Sequence, residues 1–396
     1  MARLKEIVGK AISGEWGLDD EAGTGIPVLR TTNFTNEGII NFSDVVTRTI
    51  NKKDLLQKYL RPGDIIIEKS GGSDKQPVGR VVYYDGAPDT YLFNNFTGVL
   101  RIINPAQWNS KYLFYALYAN YLRGGTRKYQ NKTTGLHNLK TDQYVEEFEV
   151  DEISLSEQYH VATILDKLRE LISLRKQQLA KLDELVKARF VEMFGDQCVN
   201  NKHWPIVKLD SLFRISSSKR IYQNEQVQIG IPFLRISDLV QKITSGNVHA
   251  ELFISIGMYN DLKSKGFVPK PNDILITSRG TLGQCYVVSE QDKFYFQDGM
   301  ISWLSDMDKN VVTGYITQLF LMDGFRKQID DVPSGTTVNY LSIERLKTLD
   351  VMLPPIELQQ RFVELKDKIC KNKLTIQQSL DKLEVLKKAL MQEYFG

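Results

Sequence analysis

The hexapeptide GIPVLR at 25–30 returns as GIPFLR at 230–235. Pro27 falls on Pro232, a shift of 205 residues that also lays Leu4 on Leu209, Ile7 on Leu212, Ser13 on Ser218 and Arg30 on Arg235. A repeat of this period has to be settled before any single element is read, because it decides the plan of the whole chain. Downstream, LRPGDIIIEKSGG (60–72) answers VPKPNDILITSRG (268–280), with Asp64 opposite Asp273. PVGRVVYY (77–84) then answers TLGQCYVV (281–288), YLFNNFTGVL (91–100) answers YFQDGMISWL (295–304), and Thr133-Thr134 answers Thr336-Thr337.

Each copy closes on a long helical segment. Residues 155–195 and 356–396 align without a gap at a shift of 201, superposing Gln158 on Gln359, Asp166-Lys167 on Asp367-Lys368 and Phe194-Gly195 on Phe395-Gly396. Ser154 with Glu157 forms a capping-box pattern before the first, and Pro354-Pro355 opens the second. Leu165, Ile172, Leu179, Val186 and Met193 fill one heptad position, with Leu168 and Leu182 in the other. In the second segment Phe362, Ile369, Ile376, Leu383 and Leu390 do the same with Leu365 and Leu386, while Arg175, Arg189, Asn372 and Ser379 interrupt the seams. At about 1.5 Å per residue each helix is roughly 60 Å long, and its apolar stripe needs a partner. The nearest is the other helix. The plan is body, helix, body, helix, with expected boundaries at 1–153, 154–196, 197–353 and 354–396. The bodies mix strand runs (DIIIE, RVVYY, DILIT, CYVV) with short helical ones, punctuated by Gly, Pro, Ser and Asn.

The composition of the 396 residues, 42% hydrophobic and 25% charged, is that of a globular protein. No apolar run reaches the roughly 18 residues of a membrane span; YLFYALYANYL (112–122) comes nearest. MARLKEIVGK lacks the features of a signal peptide, and Cys198, Cys285 and Cys370 have no metal-ligand spacing, so a reducing, cytoplasmic setting is expected. Net charge is +3, but its distribution is uneven. Between Asp89 and Asp142 there is no acid, while Arg101, Lys111, Arg123, Arg127, Lys128, Lys132 and Lys140 all fall there, which predicts one strongly positive face.

Catalytic motifs are missing. There is no G-x-x-x-x-G-K-[ST] for ATP and no N-P-P-[FY] of an amino-methyltransferase, Asn104-Pro105-Ala106 being the closest approach. His137, His160, His203 and His249 are scattered without metal spacing. Asp64, Glu68 and Lys69 look like a metal-nuclease set, but Glu68 and Lys69 are adjacent where one residue should intervene, and the second copy has Thr277 and Ser278 there. A structural strand is the better reading.

Two bodies opening with GIP-x-LR, D-I-[IL]-I strands followed by glycine-containing loops, a TT turn, and matched helices ending in FG resemble the specificity (S) subunit of a type I restriction–modification enzyme, over the whole chain. The resemblance implies an α+β fold: two tandem mixed α/β target recognition domains, each followed by a long α-helix, the two helices pairing as an antiparallel coiled coil. It implies that each body reads one half of a bipartite target on double-stranded DNA and that the helices act as a spacer. Two methyltransferase (M) subunits would dock there and bring S-adenosylmethionine, and restriction/translocase (R) subunits would bring the ATP- and Mg-dependent machinery. This chain would then carry no cofactor and no catalysis. Two rivals are a self-contained DNA-modifying enzyme, which the missing motifs disfavour, and a protein-only coiled-coil scaffold, which has no need of an acid-free basic segment.

Base edges are read by Arg, Lys, Asn, Gln, Ser and Thr on loops over rigid strands, and phosphates by Lys, Arg and backbone amides. The candidates in the first body are Arg30, Thr31, Thr32 and Asn33 after the GIP strand, Lys69, Ser70 and Lys75 in KSGGSDK, and Arg127, Lys128, Asn131, Lys132 and Thr133. The second offers Lys219 and Arg220 for phosphates, then Arg235, Ser237 and Asp238, then Ser278, Arg279 and Thr281, then Ser334, Thr336 and Asn339. Arg30 and Arg235 are shared by bodies expected to read different words, which favours a structural or phosphate-binding role; loops that differ, KSGGSDK against TSRGTLG, are better candidates for specificity. Lys167, Lys181 and Lys187 with Lys368, Lys382 and Lys388, repeated on the helix exteriors, are candidates for docking two equivalent partners.

Overall fold

In a computed structural model, residues 1–52, 55–133, 136–330 and 340–396 are described. They form two compact units: Met1–Lys176 with Gln378–Gly396, and Gln177–Gln377.

In the first unit an antiparallel sheet runs in the order Ile12–Ser13, Thr97–Leu100, Ile65–Glu68, Val81–Tyr83. Ile65, Ile66 and Ile67 of its central strand are all buried because both faces are covered. Ile65 and Ile67 pack with Val81, Leu100 and the helix Ser110–Leu122, while Ile66 turns to the opposite core with Leu29, Val82, Phe93 and Val99. A second sheet orders Leu18–Asp19, Val46–Thr49, Ile26–Leu29 and Leu92–Phe93. In it the GIP strand pairs in parallel with Leu92–Phe93, Val28 opposite Leu92 and Leu29 opposite Phe93.

The second unit repeats both sheets. Arg214–Ser216, Ile301–Ser305, Ile274–Thr277 and Cys285–Val287 form the first, and Ile274 and Ile276 enter one core while Leu275 enters the other. Gln226–Val227, Phe253–Ile254, Ile231–Leu234 and Tyr295–Phe296 form the second, again with a parallel pair, Phe233 opposite Tyr295 and Leu234 opposite Phe296. The glycines of the repeated phrase have a steric cause. A Cβ on Gly25 would lie 2.6 Å from the Arg48 carbonyl oxygen, and one on Gly230 would lie 2.2 Å from that of Ile254. The neighbouring strand leaves room for no side chain.

The copies part company directly after this phrase. Thr31–Asn33 is a single 3-10 turn, whereas Ile236–Ser245 is a ten-residue helix. Among the described residues no helix is long and apolar enough to cross a membrane.

The long helices span Leu155–Phe194 and Ile356–Phe395. Ser154 and Glu157 make the capping box, with the Ser154 N–H donating to Glu157 Oε2 at 2.9 Å and the Glu157 N–H to Ser154 Oγ at 3.2 Å. Each unit holds the start of one helix beside the end of the other, which makes the pairing antiparallel. Leu165 and Leu168 share a core with Leu383, Leu390, Met391 and Phe395. Val186, Phe190 and Phe194 share one with Phe362 and Ile369. Leu386, placed on the seam by its spacing, is instead 45% exposed. The buried residues near the C-terminal ends, Phe190 and Phe194, Met391 and Phe395, recur at four residues, because there the helix packs on a body and follows the ordinary helical period of 3.6. Phe190, Phe194, Phe362 and Tyr315 form a cluster with centroids 4.8–5.5 Å apart.

Candidate nucleic-acid interface

In the first body three segments far apart in sequence meet. Ser70–Gly72 joins the hairpin Gln130–Thr133/Leu136–Leu139 as a third strand. Exposed Arg127 and Lys128 stand on the short helix that leads into that hairpin. Lys75, Arg123 and Arg127 line one concavity of about 660 Å³ with Asn36, Gln76 and Tyr121. Beneath lies the buried His137, its Nδ1 2.9 Å from Gln130 Oε1 and its Nε2 3.5 Å from Asp74 Oδ1. Ser70 and Lys69 are half-buried, and burial pushes the Lys69 ammonium below its ordinary pKa. Asn131 and Thr32 are exposed and Thr31 is half-buried. The side chains of Lys132 and Thr133 lie outside the described residues, as do Ser334, Thr336 and Asn339.

The positive face is narrower than the acid-free run implies, because distant parts of the fold supply partners. Arg101 grips the buried Asp64 through two bonds of 2.7 Å and donates to the Gln57 and Tyr59 carbonyls. Lys111 pairs with Asp166 at 2.8 Å, and Arg123 donates to the Phe395 carbonyl. Arg127, Lys128 and Lys140 remain exposed. The same contacts give the DIIIEK strand its structural account: Asp64 serves Arg101, and Glu68 lies 3.4 Å from Arg80.

Several sequence candidates face inward. Asn33 is 2% exposed, accepts from the Arg30 N–H at 2.8 Å and donates to the Asn41 and Asp44 carbonyls. Asp238, its counterpart, accepts from the Arg235 N–H at 2.8 Å. Both hold the chain as it leaves the GIP strand, and the demand for a capped backbone explains why both positions carry a short acceptor. Ser278 is buried, with its Oγ 2.8 Å from Ser302 Oγ. The shared arginines have acidic partners, Arg30 with Asp44 at 3.2 Å and Arg235 with Glu251 at 2.8 Å.

Facing outward in the second body are Lys219, Ser237, Arg279 and Thr281, with Arg279 stacked 5.3 Å from the Tyr340 ring. Arg220 is exposed and 2.8 Å from Asp298. The two loop frames coincide even where their side chains differ. The Lys69 N–H donates to Phe96 and its carbonyl accepts from Leu139; the Ser278 N–H donates to Met300 and its carbonyl accepts from Leu341.

The frame and its repetition point to one family. Residues 1–184 and 201–385 each match the model described as the type I restriction modification DNA specificity domain. The chain belongs to that family. It is 26% identical over 219 residues to a putative type I restriction enzyme specificity subunit of Haemophilus influenzae, covering 54% of either chain. The chain thus spans about half the length of that relative. It is 24% identical over 310 residues to the MjaVIII specificity subunit of Methanocaldococcus jannaschii, covering 72% of this chain and 70% of that one. The type I system S subunit of M. genitalium has the same fold, with a TM-score of 0.58 at 15% identity over 100% of this chain and 95% of that one. So does a chain from a study of complex assembly and conformational transition of the type I R-M system, with a TM-score of 0.58 at 16% identity over 100% and 96%.

In this specificity-domain pair the helix lysines Lys167, Lys181, Lys187, Lys368, Lys382 and Lys388 are all exposed. Two of them border matching grooves. Lys388, Met391 and Gln392 face Ala119 and Leu122 across about 380 Å³ in the first unit. Lys187, Ala188 and Val191 face Met322 and Asp323 across about 530 Å³ in the second. Neither groove is visible in the sequence, although the repetition of Lys187 as Lys388 marks its rim. Arg80, Asn36 and Gln76, which bind the first body's loops together, were also missed. The only hint was Arg in PVGRVVYY where the second copy has Gln.

Proposed function

We propose that the chain is the DNA-recognition subunit of a type I restriction–modification system, reading a bipartite, asymmetric target. Each body reads one short word, and the paired helices serve as the spacer between them. The observation that carries this reading is the coincidence of the two loop frames at Lys69 and Ser278 with different side chains upon them. A shared frame with variable loops is how one architecture presents two different base-reading surfaces. Lys75 and Arg127 supply the electrostatic footing on the phosphates in the first body.

Two equivalent grooves, at Lys388 and at Lys187, fit two copies of one methyltransferase partner, and restriction subunits join that assembly. S-adenosylmethionine, ATP and Mg belong to those partners, and this chain contributes no catalytic group. The setting is the cytoplasm, where the DNA is.

Sequencing of methylated bases in cells expressing the chain with its methyltransferase partner tests the reading. Two short words separated by an unread gap of constant length are expected. One continuous word, or no methylation, would overturn it.

A further inference from the structure

We propose that Arg80 is a positioning residue for the first body's DNA-reading loops, a device with no counterpart among the described residues of the second body; the proposal rests on the reading of the chain as a DNA-recognition subunit. The Arg80 side chain is only 11% exposed and its guanidinium joins three segments. It donates to the Thr31 carbonyl at 2.9 Å and to the Phe34 carbonyl at 3.0 Å. It also reaches Asn36 Oδ1 at 3.5 Å and Glu68 Oε1 at 3.4 Å. Its own carbonyl accepts from the Glu68 N–H at 2.8 Å, and Gln76 approaches Asn36 Oδ1 at 3.4 Å. The turn after the GIP strand, the strand end that opens KSGGSDK and the edge of the basic concavity are therefore tied to one side chain.

The reason lies in the carbonyls. A helix satisfies its own carbonyls over most of its length, whereas a single 3-10 turn leaves several open. Ile236–Ser245 in the second body is such a helix; Thr31–Asn33 in the first is such a turn. The Thr31 carbonyl already accepts from the Phe34 N–H at 3.2 Å within the turn; Arg80 adds a second bond to it and takes the Phe34 carbonyl just beyond, and a planar fork of five donors suits both at once. Strand register fixes the counterparts. Val81 pairs with Ile67 as Cys285 pairs with Ile276, so Arg80 corresponds to Gln284 and Glu68 to Thr277. The Thr277 N–H donates to the Gln284 carbonyl at 3.0 Å, which repeats the Glu68–Arg80 main-chain bond. Among the described residues the buried Gln284 Oε1 has no hydrogen-bond partner and forms no such clamp.

The clamp holds main chain and leaves the outward side chains free. Exposed Thr32 is thus presented on a fixed turn. Loosening the turn should blur the first word and leave the second intact.

The test uses the full complex with its methyltransferase partner, after both half-sites have been read from methylated DNA. The double substitution Glu68→Thr with Arg80→Gln copies the second body's pair and removes both buried charges together. Methylation rates are measured on the target and on single mismatches in each half-site. Discrimination at the first half-site is expected to fall about tenfold and at the second to stay unchanged, with a melting temperature within about 2 °C of the parent. Parent-like discrimination at the first half-site, or equal loss at both, would overturn the proposal. If the double variant does not fold, R80K decides. It keeps a cation opposite Glu68 but cannot hold two carbonyls, so a folded R80K with undiminished first-half discrimination also overturns it. Failure of the parent complex to discriminate at all would instead refute DNA reading itself.

Discussion

Gln158 and Gln359, 201 residues apart, make the same three hydrogen bonds. Gln158 Oε1 accepts from the Asn109 N–H at 2.8 Å, and its Nε2 donates to the Gln107 and Ile153 carbonyls at 3.0 Å. Gln359 Oε1 accepts from the Val312 N–H at 3.0 Å, and its Nε2 donates to the Asn310 and Pro354 carbonyls at 3.0 and 2.8 Å. Both side chains are buried, at 1% and 0% exposure. In each unit this amide fastens the first turn of a long helix to the start of a body helix.

Replacing either glutamine by leucine should therefore cost about 2–3 kcal/mol, because backbone groups that lost water on folding lose their partner as well. Denaturant unfolding of Q158L and Q359L measures this. A cost below about 0.5 kcal/mol in both would contradict the role assigned to the clasp.

The acid-free segment gives a contrast between two cations of one sign. Asp64 is 1% exposed at its side chain and held by Arg101, so Arg101→Ala leaves a buried carboxylate unpaired and should cost about 3–5 kcal/mol. Lys111 and Asp166 are 30% and 36% exposed, so Lys111→Ala should cost under about 1 kcal/mol. Unfolding curves of the two variants should differ accordingly.

For DNA binding, Lys75→Ala and Arg127→Ala should each weaken association alike on matched and mismatched targets. Each should also reduce the slope of log affinity against log salt by about one. Titrations at several ionic strengths of the complex with its partner would show this. A variant that alters preference for one base instead would mean that the residue reads bases.

Lys366 and Lys387 stand where the other long helix carries Leu165 and Val186. Burial, the leading cause in both, lowers their ammonium pKa values. The neutral form is thus favoured in the folded chain. This contribution to stability is present above the unfolded lysine value of about 10.4 and is lost as pH falls through the lowered folded value. At neutral pH each lysine is a cost, and Lys366→Leu and Lys387→Val should each stabilise by about 1 kcal/mol. The gain should shrink as pH rises toward the unfolded lysine value of about 10.4. Thermal melts at neutral and alkaline pH check both the sign and the trend.

Much of the architecture was legible in one dimension. The GIP phrase, the D-I-[IL]-I strands and the helical heptads are local patterns, and local patterns written twice fold twice, down to the alternate-residue split of Ile65–Ile67 and Ile274–Ile276 between two cores. The aromatic ends of the helices were harder. Phe190 and Phe395 meet body rings, Tyr315 and Tyr112, as well as the opposite helix, and heptad spacing says nothing of those rings.

The candidate site was legible in its segments and less so in its residues. Arg30, Asn33, Asp238 and Ser278 have the chemistry of readers, yet partners within about 3 Å turn Asn33, Asp238 and Ser278 inward and draw Arg30 to an acid. Composition and repetition determined that two like bodies and two long helices exist and that their loops differ. Only the tertiary structure decided which polar groups face outward, because a side chain's direction depends on which carbonyl or carboxylate the fold brings beside it. Arg80 shows the distinction: its residue type was plain, but the carbonyls of Thr31 and Phe34 that it binds lie 49 and 46 residues away.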